Sequence, residues 1–154
     1  MLKTINLDID HKAILNVITN EKVKWFGWKF DDFSKDRTIK SIKWGKSSDI
    51  GCFSLRYTKY QQLIENAIPQ LKSIKYNPKK SHITKTLPKG GIPWHKDYQR
   101  KKALLIPIGE NKGSIMYTNF VFTYRGPTFI VTNVLHKTYN DSKINRYTIQ
   151  LHVE

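Results

Sequence analysis

Residues 114–136 read SIMYTNFVFTYRGPTFIVTNVLH, and this stretch decides the fold class. Aromatic and β-branched residues dominate it, and the turn residues Arg125-Gly126-Pro127 interrupt it. Such runs, divided by glycine and proline, are typical of β-strands. We therefore predict two strands here, bent around the Arg125–Pro127 turn.

The flanking segments extend this pattern in both directions. Residues 82–97 (HITKTLPKGGIPWHKD) predict a strand, a Pro/Gly turn and a short extended end, and residues 102–109 (KALLIPIG) predict an apolar strand. Residues 140–145 (NDSKIN) form a loop ahead of a last strand, residues 146–153 (RYTIQLHV). Six or so short strands separated by turns indicate a β-sandwich or barrel from about Asn77 onward.

The N-terminal third contains the helical patterns. Apolar residues recur at helical spacing over Asp10–Thr19, with Asp10 placed as an N-cap. Thr58–Ser73 is the strongest helix candidate, although Pro69 inside it should kink the helix. The fold class is therefore mainly β with N-terminal helices.

The length of 154 residues predicts one domain. Within it we expect residues 1–75 to be a helical and extended support and residues 76–154 to hold the core strands. Residues 23–30 (VKWFGWKF) look extended, and the polar residues 31–38 (DDFSKDRT) look like a loop. The single cysteine, Cys52, excludes an intrachain disulfide framework.

The N-terminal sequence lacks the apolar core of a signal peptide, and no apolar run approaches the length of a membrane span. We therefore expect a cytoplasmic protein without membrane association. The oligomeric state is not indicated by the sequence.

The chain is strongly basic, with 27 Lys and Arg against 12 Asp and Glu and a formal charge of +15. Such a balance favours an anionic partner, either nucleic acid or an acidic protein segment, but a solvated lysine-rich surface explains it equally well. Many of the basic residues lie along one part of the chain, interrupted by Tyr76 and Trp94. They are Lys72, Lys75, Lys79, Lys80, Lys85, Lys89, Arg100, Lys101 and Lys102.

A set of candidate metal ligands lies in the β-rich part. His95 and Asp97 are two residues apart, so an extended backbone directs both side chains to the same side. His136 follows an apolar run that a sandwich can bring alongside them. Two histidines and one carboxylate are the ligands with which non-haem Fe(II) oxygenases hold iron, leaving positions open for a co-substrate and dioxygen.

The last strand has one apolar and one polar face. Its polar side chains are those of Arg146, Thr148, Gln150 and His152. In an ordinary edge strand such a face would meet solvent, whereas in a jelly roll with an internal site it would line a wet cavity. The alternation by itself leaves both arrangements open.

These motifs resemble the core of the 2-oxoglutarate and Fe(II)-dependent oxygenases. The resemblance rests on residues 95–100 (HKDYQR) and 126–151 (GPTFIVTNVLHKTYNDSKINRYTIQL), which place H-x-D, a second histidine and an arginine ten residues later. The resemblance extends over roughly Ser81–Val153, about half the chain. Within the superfamily, the motifs are most similar to those of the aspartyl/asparaginyl β-hydroxylase-like and prolyl-hydroxylase-like branches. Some aspartyl β-hydroxylases lack the carboxylate ligand, whereas this chain has Asp97, which weakens any inference of an aspartyl substrate.

The resemblance implies a double-stranded β-helix (jelly roll, cupin-like) with Fe(II), 2-oxoglutarate and O2. His95, Asp97 and His136 would hold iron, with no catalytic residue beyond the metal centre. Arg146 would pair with the distal carboxylate of 2-oxoglutarate through its guanidinium fork, and Thr148 would add a hydroxyl. The implied reaction is hydroxylation, most readily of a protein or peptide side chain, with small amino acids and methylated nucleic acids as the alternative substrates.

Three residues beside the predicted ligands are weaker candidates for the substrate mouth, namely Trp94, Tyr98 and Arg100. Two other classes of protein compete with the oxygenase interpretation. One is a non-enzymatic basic β-domain that binds nucleic acid or acidic proteins. The other is a non-oxygenase cupin-like metal protein, which the absence of the usual H-x-H pair with a nearby glutamate disfavours.

Overall fold

The computed structural model describes residues 2–27, 50–97, 100–109 and 113–153. The predicted loop at residues 31–38 and the substrate candidate Tyr98 lie outside these ranges. Of the aromatic segment 23–30, only the first five residues are described.

The described residues form ten strands. In chain order they are β1 (Lys3–Thr4), β2 (Phe26–Gly27), β3 (Cys52–Arg56), β4 (Tyr76–Thr86), β5 (Lys102–Ile108), β6 (Gly113–Tyr117), β7 (Val121–Tyr124), β8 (Thr128–Val131), β9 (His136–Tyr139) and β10 (Arg146–Val153). Seven of them make a large antiparallel sheet in the order β1-β8-β5-β10-β4-β3-β2, and three make a small one in the order β7-β6-β9.

The chain passes back and forth between these two sheets, as it does in a jelly roll. After β4 it reaches the small sheet at His95, which pairs with His136 on β9, and then returns for β5. Strands β6 and β7 lie in the small sheet, β8 in the large, β9 in the small and β10 in the large. The mainly β, double-stranded β-helix class is therefore confirmed.

Two hydrophobic cores lie on opposite faces of the large sheet. On the outer face, helical residues such as Ile14 and Ile64 pack against Leu104, Ile149 and Leu151. The second core lies between the sheets and is smaller. Its buried members are Ala103, Leu105, Ile115, Tyr117, Tyr124 and Ile130.

The first predicted helix is confirmed. Helix α1 spans His11–Ile18, and the Asp10 carboxylate accepts a hydrogen bond from the Ala13 N–H at 3.1 Å. This cap satisfies one of the backbone donors that a helix start leaves unpaired. In the described part of the chain, neither α1 nor any other helix is both long and apolar enough to cross a membrane.

The continuous helix predicted over Thr58–Ser73 is wrong. A 3-10 turn (Tyr57–Tyr60) precedes the short α2 (Gln61–Ala67), and a second 3-10 turn (Pro69–Ser73) follows it. Ile68 between them leaves the helical region, with φ −132° and ψ 79°. The physical reason is Pro69, because proline disfavours the helical region for the residue before it.

The prediction of two strands in residues 114–136 is also incorrect. The segment contains β6, β7 and β8 and ends where β9 begins. The missed turn lies at Thr118–Phe120, where the Tyr117 N–H donates to the Phe120 carbonyl at 2.8 Å. This turn contains neither glycine nor proline, so its composition does not separate it from the flanking strands.

Candidate metal centre

The segment that carries His95 runs antiparallel to β9. Its backbone exchanges two hydrogen bonds of 2.9 Å with His136, and the Thr138 N–H donates to the Ile92 carbonyl at 3.0 Å. The close approach requires glycine at position 91, where a Cβ would overlap the Thr138 carbonyl. Gly91 in the Pro/Gly turn therefore lets the two histidines face each other.

The two imidazoles are oriented by carbonyls of their own segments. His95 Nδ1 lies 2.7 Å from the Pro93 oxygen, and His136 Nδ1 lies 2.7 Å from the Val134 oxygen. Because a carbonyl can only accept, each Nδ1 carries the proton and each Nε2 carries the lone pair. This arrangement is typical of metal-binding histidines. Burial lowers the pKa of His136, which keeps its imidazole in the neutral, metal-binding form at pH 7.

Asp97 completes the group. Ligand atoms of His95, Asp97 and His136 all lie within 4.8 Å of one another, and His95 Nε2 is 3.7 Å from Asp97 Oδ1. Three donors at such separations could hold one metal ion. Asp97 is itself fixed through its backbone, whose N–H donates to the Thr132 carbonyl at 2.8 Å.

Arg100 positions the Asp97 carboxylate. Its Nη2 and Nε donate to Asp97 Oδ2 at 2.6 and 3.1 Å, and Nη2 also donates to Gln150 Oε1 at 3.1 Å. Oδ1 is thereby left to face His95. Burial alone would raise the pKa of Asp97, but Arg100 and the two histidine rings hold it below its ordinary value.

We expect Arg100→Gln to weaken metal binding by about 10- to 100-fold, the usual effect of losing a residue that orients a ligand. Without the guanidinium, burial raises the pKa of the Asp97 carboxyl. When the solution is acidified, this carboxylate should therefore be protonated, and the metal released, at a higher pH than in the wild type. Metal titrations across a pH series measure both effects. Arg125→Gln, at an exposed position, is the matched control. An unchanged affinity and pH profile in Arg100→Gln would contradict this role.

A cavity of about 400 Å³ between the sheets connects this group to the last strand. Its lining includes the three candidate ligands and the polar face of β10 at Arg146, Thr148 and Gln150. The polar face therefore meets a cavity. The reason is that β10 lies at the centre of the large sheet, with its apolar face covered by the helices.

Arg146 lies at the far end of the cavity. Arg146 and Gln150 are four residues apart on β10, which corresponds to about 13 Å. The guanidinium is buried; Nη1 donates to the Tyr139 carbonyl at 3.1 Å and Nη2 to the exposed Asp141 carboxylate at 2.7 Å. The Asp141 pair engages only Nη2 of the guanidinium.

Two buried polar atoms near this end have no hydrogen-bond partner among the described residues, namely Arg146 Nε and Thr84 Oγ1. Thr84 on β4 is paired with Thr148 on β10, and the adjacent pair joins Thr86 to Arg146. All four side chains line the cavity. The Arg146 Nε–H and the Thr84 hydroxyl therefore belong to adjacent cross-strand pairs. Such unpartnered groups are suited to an anionic ligand, since leaving buried polar atoms without a hydrogen bond is costly.

Of the weaker substrate candidates, Trp94 and Arg100 lie in the described part of the chain, and they do not line the cavity together. Trp94 is absent from the cavity lining and packs under the Lys137 ammonium, whose nitrogen is 5.2 Å from the ring centre. Arg100 lines the cavity, and its hydrogen bonds there are to Asp97 and Gln150. A substrate role for Trp94, Tyr98 and Arg100 stays a prediction.

Neither Thr84 nor His82 was singled out from the sequence as a site residue. Both lie on the cavity side of β4, and burial lowers the pKa of His82 to about 3, so this imidazole is neutral. Alternation along β4 could have identified them once its neighbour β10 was known. Lys85, on the opposite face, instead lies over the rings of Trp25 and Phe53 at 5.0 and 5.4 Å.

No protein-family model and no curated protein matches this chain. Among solved structures, a cupin domain from Bordetella pertussis Tohama I aligns with 48% of this chain and 79% of its own, with TM-score 0.40 and 15% identity. Peruvianin-I, a cysteine peptidase from Thevetia peruviana latex, aligns over 98% of this chain and 91% of its own, with TM-score 0.41 and 15% identity. At these values neither structure bears on the chemistry of the site. The chain is thus a jelly-roll protein with a His/Asp/His group that could bind a metal ion.

Proposed function

We propose that this protein is a non-haem Fe(II) oxygenase that couples the oxidative decarboxylation of 2-oxoglutarate to hydroxylation of a substrate, most readily a protein or peptide side chain. The observation that carries the proposal is one cavity with the His95/Asp97/His136 group at one end and the Arg146 guanidinium at the other. An Fe(II) oxygenase that uses a dicarboxylate needs both.

The donor set fits iron. Two imidazoles with protonated Nδ1 and one ionised carboxylate supply a three-ligand site of the kind that binds Fe(II). Bound iron would activate dioxygen, and 2-oxoglutarate would provide two electrons on its conversion to succinate and CO2. The substrate C–H then becomes C–OH.

The protein's own residues would bind and orient the reactants. Arg146 would bind the distal carboxylate, and the side chains of Thr84 and Thr148 line the cavity beside it. The apolar side chains of Leu105 and Ile115 also line the cavity. This lining would exclude water from the reacting centre, which strengthens electrostatic contacts there.

The test is an anaerobic titration of purified protein with Fe(II) and then 2-oxoglutarate, followed by visible absorption. We expect a metal-to-ligand charge-transfer band that saturates at one equivalent of each. Binding of zinc with no effect of 2-oxoglutarate on the metal site would contradict the proposal and favour another metalloprotein class. A folded protein that binds no metal would remove the enzymatic interpretation.

Thr84→Val separates a ligand-binding role from a structural one. Because the Thr84 hydroxyl has no partner in the described structure, replacing it by an isosteric apolar group should leave the free energy of unfolding unchanged or raise it. We expect 2-oxoglutarate affinity to fall by roughly fivefold, the loss of about 1 kcal/mol of hydrogen bonding. Thermal unfolding and the charge-transfer titration measure these quantities.

Thr128→Val is the matched control for this substitution. The buried Thr128 hydroxyl donates to the Gly126 carbonyl at 2.9 Å and lies outside the cavity lining. Its loss should lower stability by about 1 kcal/mol without changing 2-oxoglutarate affinity. A destabilised Thr84→Val with normal affinity would show that this hydroxyl is structural.

A further inference from the structure

The charges that line the cavity are strongly unbalanced. Among the described residues of the lining Asp97 is the one acid, and Arg100 already pairs with it. The remaining cations include Arg146 at the far end and three lysines, Lys79, Lys80 and Lys96. A cleft lined by one sign of charge concentrates ligands of the opposite sign.

A bulge in β4 carries two of these lysines to the cavity. His82 pairs with Gln150, and Asn77 pairs with His152, so one residue of β10 faces residues 78–81 of β4. Bulges of this kind occur next to functional sites, where they redirect side chains. Both Lys79 and Lys80 are exposed and line the cavity, so the cavity meets solvent beside them.

Ser81 anchors the bulge. Its buried hydroxyl accepts from the His152 N–H at 2.9 Å and donates to the Asn77 carbonyl at 2.7 Å. The Lys79 N–H in turn donates to the Asn77 side-chain oxygen at 3.0 Å. The lysine backbone is thus held in place, while the side chains extend from a fixed position.

The lysines lie near the metal-binding end of the cavity. Gln150, which borders the bulge, accepts a hydrogen bond from Arg100, and Arg100 holds Asp97. In the described part of the chain no carboxylate lies within 4.0 Å of either ammonium. Arg146, the cation for the co-substrate, is at the opposite end.

From this arrangement we propose that the substrate carries a carboxylate or phosphate group, which Lys79 and Lys80 bind at the cavity opening. This inference rests on the proposed function, because it names the substrate class of the same site. Ammonium groups on flexible stems suit it, since they bind an anion without demanding one geometry. The reacting carbon would then lie between this group and the metal.

The test uses Lys79→Gln/Lys80→Gln, with Lys12→Gln/Lys22→Gln as a control that removes the same charge from exposed positions outside the cavity lining. The probe is a fluorescein-labelled hexapeptide of alternating Asp and Gly, and an Asn/Gly peptide serves as the neutral reference. Fluorescence anisotropy is recorded anaerobically with Fe(II) and 2-oxoglutarate present. The charge-transfer band is recorded on the same samples.

We expect the wild type and the control to bind the acidic peptide in preference to the neutral one. The Lys79→Gln/Lys80→Gln variant should bind it roughly tenfold more weakly, as two lost ion pairs predict, with its charge-transfer band unchanged. Displacement of the peptide by free aspartate or inorganic phosphate at similar concentrations would identify a small anionic substrate. Displacement only by unlabelled peptide would identify an acidic peptide segment.

Equal loss in both double variants would overturn the inference, because it would assign binding to net charge alone. A single-stranded oligonucleotide that binds more tightly than the peptide, and depends on Lys79 and Lys80, would also overturn it in favour of nucleic acid. Failure of the proposed function is a separate result, namely absence of the charge-transfer band in the wild type.

Discussion

His136→Ala is expected to abolish the charge-transfer band and to reduce Fe(II) affinity by more than about 100-fold, since even residues that only orient a ligand are worth 10- to 100-fold. His136 is buried to 4% exposure, and its Nδ1 donates to the Val134 carbonyl, so its Nε2 has a fixed direction. Alanine leaves two protein ligands, His95 and Asp97, which cannot replace the third.

The matched control is His11→Ala. His11 lies at the start of α1, where its Nδ1 accepts from the Gly109 N–H at 2.8 Å, and it is absent from the cavity lining. This variant should retain the band.

Thermal unfolding distinguishes loss of the metal from loss of the fold. A metal present at 100 times its dissociation constant stabilises the folded protein by about 2.7 kcal/mol. Fe(II) should therefore raise the Tm of the wild type and of His11→Ala, but not that of His136→Ala. A normal band in His136→Ala would exclude this histidine as a ligand.

Arg146→Ala is expected to bind Fe(II) normally but to lose 2-oxoglutarate affinity by roughly 30-fold to 1,000-fold, the range for truncating one partner of a buried charge pair. Arg146→Lys should fall between this variant and the wild type, because lysine keeps the charge but cannot form two parallel hydrogen bonds. Binding of 2-oxoglutarate to the Fe(II)-loaded protein measures both. Equal affinity of wild type and Arg146→Ala would contradict the assignment.

Asp141→Asn controls for the ion pair that Arg146 makes in the structure. The Asp141 side chain is 75% exposed, so its attraction for Nη2 is weakened by solvent. We expect 2-oxoglutarate affinity to stay within about threefold of the wild type, as exposed ion pairs contribute little. A loss as large as that of Arg146→Ala would indicate that Asp141 aligns the fork.

Local patterns were sufficient for several elements. The alternation over residues 146–153 coincides with β10, and Asp10 caps α1 as its chemistry predicts. The i, i+2 spacing of His95 and Asp97 places both ligand atoms together. Each of these depends on backbone geometry over a few residues, which the sequence specifies directly.

Other features were beyond local reasoning. Pro69 ends α2 where a kink was expected, and Thr118–Phe120 forms a turn that contains neither glycine nor proline. The direction of the polar face of β10 was also open. It depends on β10 lying between β5 and β4, a neighbour relation between segments that are far apart along the chain.

The sequence by itself determined which chemistry is available: two histidines, a carboxylate and an arginine on extended segments of a β-rich, basic chain. Only the tertiary structure decided how these groups meet. Pairing of residue 95 with His136, the hydrogen bond from Arg100 to Gln150 and the bulge of β4 against β10 all join distant segments. The physical reason is that strand alternation specifies two faces, whereas long-range pairing decides which face is covered and which encloses a cavity.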